Sequence, residues 1–150
     1  MMNQVYQIHI VQNEQEKADA MSVRRMVFIE EQQVPEDLEI DEHDGDDPST
    51  LHFVAYAGDK PVGASRLRSY APGIGKVERV AVLGSERGTG LGRQIMLMME
   101  ETARLRGYRK LKLNAQTHAQ RFYEKLGYTP VGDVFEEAGI EHIAMEKTLS

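Results

Sequence analysis

The chain has 150 residues, no cysteine and a formal net charge of −6, with 41% apolar and 28% charged residues. These values suit one globular domain that buries roughly 68–70% of its unfolded surface. They exclude disulfides, thiolate metal sites and acyl transfer through a cysteine thioester. No apolar run approaches the ~18 residues of a membrane helix, and the polar start MMNQVYQIHIVQNEQ lacks the basic and apolar regions of a secretory signal. A cytoplasmic protein without membrane contact is expected. Residues 76–125 hold 11 Lys/Arg against 5 Asp/Glu, whereas residues 1–75 hold 6 against 14. An acidic protein with a basic middle third suits a small anionic ligand. The net sign and the lack of an aromatic-basic motif argue against nucleic acid.

In chain order, Val5 to Val11 alternates as a strand. Asn13, with Glu16 three residues on, opens a helix whose Ala20, Val23 and Val27 share one side and which must end before Pro35. Glu36 to Asp47 holds eight acids and no Lys or Arg. It reads either as a solvated loop or as a rim that attracts a cationic acceptor. It is no calcium loop, because neither frame, from Asp41 or from Asp44, supplies the closing Glu. Leu51 to Ala57 and Val62 to Ser69 form a hairpin about Gly58-Asp59-Lys60-Pro61, and Pro72-Gly73 turns the chain again.

Val77 to Leu83 is the next strand. A helix comes after it, with Leu91, Ile95, Met98, Met99, Thr102 and Leu105 on one face, and Gly107 stops it. Lys110 to Ala115 then completes a βαβ unit, so its strand runs parallel to Val77–Leu83 with a right-handed crossover. Thr117 and Gln120 suggest a capping box for a short helix with Ala119, Phe122, Tyr123 and Leu126 inward, ended by Gly127. Thr129 to Phe135 and Ile143 to Leu149 close the fold as an antiparallel pair.

Between strand and helix lies Arg87-Gly88-Thr89-Gly90-Leu91-Gly92. Glycine costs roughly 1 kcal/mol against alanine in a helix interior, so three here imply either a close backbone approach by an anion or merely a tight turn. No lysine comes next as a P-loop requires, since Arg93 stands there. The G-x-G-x-G spacing, mid-chain and without a downstream acid, is a poor dinucleotide fingerprint.

With its preceding strand, this hexapeptide resembles the R/Q-x-x-G-x-G/A signature of the GNAT superfamily of acyl-coenzyme A N-acyltransferases. Phe122-Tyr123-Glu124-Lys125-Leu126-Gly127-Tyr128 is similar to that superfamily's FYEKLGF segment. VFIEEQ (27–32), NAQTHAQRFY (114–123) and AGIEHIAM (138–145) resemble the ElaA-like branch. The resemblance implies an α+β GNAT fold: one domain over 1–150, with a twisted, mostly antiparallel sheet of six or seven strands and about four helices. The sheet splays between its two central parallel strands.

It also implies transfer of an acetyl group from acetyl-coenzyme A to a primary amine, small or on a protein, with coenzyme A released and no metal. The pantetheine arm would bond to Val80, Ala81 and Val82, one of whose amides would serve the oxyanion. The diphosphate would meet the amides from Arg87 through Gly88, Thr89, Gly90, Leu91 and Gly92 to Arg93. Asn114, Phe122 and Lys125 complete the cofactor contacts. Tyr123 would be the acid for the leaving thiol. Glu78, His142, Glu30 and Glu31 are the candidates for the base. The family admits homodimers. A rival reading is a non-catalytic acyl-coenzyme A sensor, and a third is an ATP- or NAD-binding protein.

Overall fold

A computed structural model describes residues 5–150. Seven strands form one sheet in the order β1-β2-β3-β4-β5-β7-β6. Their spans are β1 Gln7–Ile10, β2 Thr50–Ala57, β3 Lys60–Ala71, β4 Ile74–Val82, β5 Lys110–Gln116, β6 Thr129–Glu137 and β7 Ile140–Thr148. All neighbours are antiparallel except β4 and β5. Four α-helices decorate it: α1 Glu14–Arg24, α2 Glu36–Glu39, α3 Leu91–Leu105 and α4 Gln120–Lys125. Among the described residues no helix is long and apolar enough to cross a membrane.

The expected start of α1 is present. Asn13 accepts the Glu16 amide at 2.8 Å, and the Glu16 carboxylate reaches back one residue beyond the cap, to the Gln12 amide. The far end of α1 departs from the expected single helix. Arg25–Glu31 continues as a π-helix, which widens the turn and carries Phe28, Glu31 and Gln32 toward the sheet. Ala20, Val23 and Val27 pack on Val54, Ala64 and Ala81, covering one side of β2, β3 and β4. On the other side α3 buries Leu91, Ile95, Met96, Met99 and Ala103 against Phe53, Leu67, Val77, Leu111 and Leu113.

Two local expectations fail. Leu105 is 80% exposed, because the buried stripe of α3 is centred on Ile95, Met99 and Ala103 and has rotated away by the last turn. The Thr117 cap does not form. Residues Thr117–Ala119 are instead a 3-10 turn leading into α4, with no side-chain cap bond at either start.

The acidic stretch is not a free loop. Half of its carboxylates turn back onto arginines: Glu39 and Asp44 onto Arg24, Asp41 and Asp44 onto Arg66, Glu39 and Asp41 onto Arg79, and Glu36 onto Arg25. Arg24, Arg66 and Glu39 are buried. Such groups are tolerated only because every charge is answered by hydrogen-bonded partners.

Candidate active site

Strands β4 and β5 are paired only from Ile74↔Lys110 to Val77↔Leu113. Five further residues of β4 and three of β5 continue without pairing to each other, so the sheet forks. A bulge in β4 accompanies the fork. Arg79 and Val80 stand opposite the single residue Ser65 of β3, and Arg79 adopts φ 58°. A bulge increases local twist and bends the strand that carries it. Ala81 and Val82 remain paired to Ala64 and Gly63 of β3, so they keep their place in the sheet while their other edge faces the fork.

Above the fork lies the glycine turn. Gly88 and Gly90 have φ of 81° and 91°, which explains glycine at both by backbone geometry alone. Gly92 is different: a Cβ there would lie 3.2 Å from Cζ of Phe122. The first helical bond of α3 runs from the Gln94 amide to the Gly90 carbonyl, 3.1 Å. Among the described residues, the six amides from Gly88 to Arg93 donate to no protein acceptor. Six successive donors at the positive end of a four-turn helix form an anion cradle. Arg87 beside them donates to the Val82 carbonyl at 3.2 Å and pairs with Glu31 at 2.9 Å.

The fork and the cradle open into one cavity of about 980 Å³. Of the residues singled out in the sequence, Glu78, Val80, Ala81, Val82, Arg87, Gly88, Gly90, Leu91, Gly92, Arg93, Asn114, Phe122, Tyr123 and His142 line it, as does Glu31. Thr89 does not; its hydroxyl donates to the Glu86 carbonyl at 2.6 Å and stabilises the turn from behind. Lys125 and Glu30 are exposed and outside it.

Sequence reasoning missed Gln32 and Gln116, whose side-chain amides bond reciprocally at 2.8 and 3.3 Å and tie the π-helix to the end of β5. It also missed Glu137 at the β6–β7 turn, whose carboxylate accepts from Asn114 at 3.4 Å. Gln116 lies two residues beyond Asn114 and so shares its face of β5, which was the available signal.

The titratable groups separate clearly. Glu78 is a candidate base by sequence, and its surroundings overturn that. Burial would raise it, but the hydrogen bond from Arg68 and the charge of Arg66 outweigh burial and hold it at about 2. A carboxylate so saturated has little affinity for a proton taken from an ammonium. Tyr123 moves the other way. It is buried, lies edge-to-face with Phe122 and Tyr128, makes no hydrogen bond among the described residues, and burial pushes its phenol up to about 12. His142 is stacked on Phe135, and its Nδ1 lies 2.7 Å from the Ile140 carbonyl. A carbonyl oxygen only accepts, so Nδ1 carries the hydrogen and the lone pair of the neutral ring is at Nε2. No group of three His, Asp or Glu among the described residues is arranged to hold a metal.

Residues 11–149 match the acetyltransferase (GNAT) domain family. The chain belongs to the GNAT family. YjcF of Bacillus subtilis strain 168, an uncharacterized N-acetyltransferase, is 45% identical over 139 residues, 92% of this chain and 96% of YjcF. ElaA of Escherichia coli K12 is 34% identical over 131 residues, 85% of this chain and 84% of ElaA. The solved ElaA structure superposes with a TM-score of 0.82 over 95% of this chain and 98% of that one. A structure from Lactobacillus plantarum, of proposed N-acetyltransferase activity, reaches a TM-score of 0.90 at 32% identity, over 97% of this chain and 99% of its own. As a GNAT enzyme the chain is an acyl-coenzyme A-dependent N-acyltransferase, on the ElaA side of the family.

Proposed function

We propose that the enzyme transfers an acetyl group from acetyl-coenzyme A directly to a primary amine while both are bound. One observation carries this reading: six unpartnered amides and an unpaired strand fork share a single cavity. The amides from Gly88 to Arg93 would hold the diphosphate, with Arg87 and Arg93 adding charge. The free edge of β4 at Val80, Ala81 and Val82 would take the amide groups of the pantetheine arm, with Asn114 on the opposite branch of the fork. Bound acetyl-coenzyme A supplies the acetyl group as a thioester.

The chain's residues would then take up one proton and supply one hydrogen bond. His142 Nε2 accepts one from the amine as its nitrogen bonds to the carbonyl carbon. Tyr123, in the cavity lining, would face the sulfur as the C–S bond breaks. A phenol near 12 is a far weaker acid than a thiol near 8.5, so Tyr123 serves best as a hydrogen-bond donor to the developing thiolate. With no cysteine in the chain, no acyl-cysteine intervenes.

The test is a ligand-stability titration and then a turnover assay. Acetyl-coenzyme A and coenzyme A at a hundred times their Kd should each stabilise the fold by about 2.7 kcal/mol, whereas ATP without pantetheine and NAD should do much less. Release of free thiol should then depend on an added amine. Absence of stabilisation by coenzyme A sinks the reading.

A further inference from the structure

The fork holds a charge arrangement that the cofactor does not use. Arg68, Lys76 and Lys112 stand in one row across β3, β4 and β5, in register Arg68↔Lys76 and Lys76↔Lys112. The row lies on the face opposite the α3 core, since Val77, Leu111 and Leu113 point the other way. Like charges directly opposite one another in a sheet are destabilising, so the row needs a reason.

Nearby carboxylates answer it only in part. Glu78 reaches Arg68 at 2.8 Å and Lys76 at 3.3 Å, but Arg66 shares it. Glu146, opposite Lys112 on β7, is bound to Lys110 at 3.1 Å. Lys112 has no carboxylate partner among the described residues. Its ammonium lies 4.5 Å from the ring centre of Tyr70, and that of Lys76 lies 5.9 Å from the same ring, which is 49% exposed.

This pair marks the apex of the fork, one rung before Val77↔Leu113; Lys76 lines the cavity, and Lys112 stands just outside its lining. Farther up β5 the polarity reverses. Asn114 carries the contact to Glu137, a carboxylate in no ion pair among the described residues, and His142 lines the same end. Lys112 and Asn114 are two residues apart along a strand, about 7 Å.

We infer that the acceptor is a zwitterion: a primary amine that docks by Glu137 and His142, with a carboxylate that reaches back along β5 to Lys76 and Lys112 at the closed end of the fork. This rests on the transferase reading of the same cavity. It reverses the cationic acceptor suggested by the acidic run at 36–47, whose only cavity-lining carboxylate, Glu39, is tied to Arg24 and Arg79.

Nα-acetyl-lysine and its neutral analogue Nα-acetyl-lysinamide present the same amine with and without the carboxylate, and titration of each into the coenzyme A complex needs no turnover. The acid should bind at least tenfold more tightly than the amide at low ionic strength, and this ratio should fall with added salt. In the Lys76→Met/Lys112→Met double variant it should fall to about one, while Lys60→Met, at the exposed start of β3, keeps it. Equal binding of acid and amide to the unaltered protein overturns the inference, as does a preference that survives the double variant. Tight, salt-sensitive binding of the acid without acetylation of any amine leaves the anion subsite standing and removes the transferase reading instead.

Discussion

Arg66 and Glu78 face each other across β3 and β4, joined by bonds of 2.7 and 3.1 Å from the two guanidinium nitrogens Nη2 and Nε to Oε1. Arg66 has no exposed surface, and its other donors hold Asp41 and Asp44 of the acidic stretch. One side chain therefore fastens a twelve-residue excursion to the strand that forms the fork. Removing one partner of a buried ion pair leaves the other charge uncompensated. Arg66→Met should destabilise the protein by about 3–5 kcal/mol, read as a lower denaturant midpoint at unchanged slope. A change below about 1 kcal/mol would mean that the acidic stretch docks without it.

The same cluster fixes how the protein meets acid. Burial opposes ionisation of Glu78, Asp41 and Asp44, yet the arginine contacts outweigh it and all three carboxyls are depressed, Glu78 to about 2. A depressed carboxyl stabilises the fold fully above its unfolded value and loses that contribution as pH falls through its folded one. Glu78 alone should contribute about 3 kcal/mol that disappears between roughly pH 4.5 and 2. Thermal melts across that window should show a steep fall in Tm. A flat profile would count against the cluster.

How far these features are legible in the sequence depends on how local they are. The Asn13 cap, the glycine turn and the βαβ unit are written in short spacings, and the structure has them where those spacings put them. The docking of residues 36–47 is not local. Eight acids in twelve residues look solvated until the fold brings Arg24, Arg66 and Arg79 beneath them, and those arginines come from three separate elements. The π-helix is likewise silent in the sequence, because its side-chain pattern over seven residues differs little from that of an α-helix. Glu78 reads as a base for the same reason: its partners Arg66 and Arg68 lie on the neighbouring strand.

Gly90 and Gly92 of the turn should respond differently. At Gly90, with φ of 91° and open space around it, alanine meets no atom but must adopt a left-handed backbone, costing roughly 1–2 kcal/mol. Gly90→Ala should therefore lower Tm and weaken coenzyme A binding together. At Gly92 the backbone is ordinary, and the added methyl meets the Phe122 ring. Gly92→Ala should weaken coenzyme A binding through displacement of Phe122, and trimming that ring in Gly92→Ala/Phe122→Leu should restore most of it. Thermal melts and coenzyme A titrations of these proteins decide this. Failure of the double variant to recover, where Phe122→Leu alone binds coenzyme A as the unaltered protein does, means that the methyl blocks the ligand itself.

Tyr123 provides the sharpest separation of chemistry from stability. Its hydroxyl has no hydrogen-bond partner among the described residues, so Tyr123→Phe removes a polar group at the cavity whose loss breaks no protein contact. Tm should stay level or rise slightly. If the hydroxyl supports the departing thiolate, kcat should drop by about 10²-fold or more, while the coenzyme A Kd changes little. Because burial pushes the phenol up to about 12, the unaltered enzyme should show no loss of kcat from Tyr123 ionisation below about pH 11. The decisive measurement is kcat against pH for both proteins. A wild-type decline near pH 9 that is missing in Tyr123→Phe would mean that Tyr123 ionises far more readily than its buried position allows. Equal kcat for the two proteins would remove Tyr123 from the reaction and leave the thiolate to depart into water at the mouth of the fork.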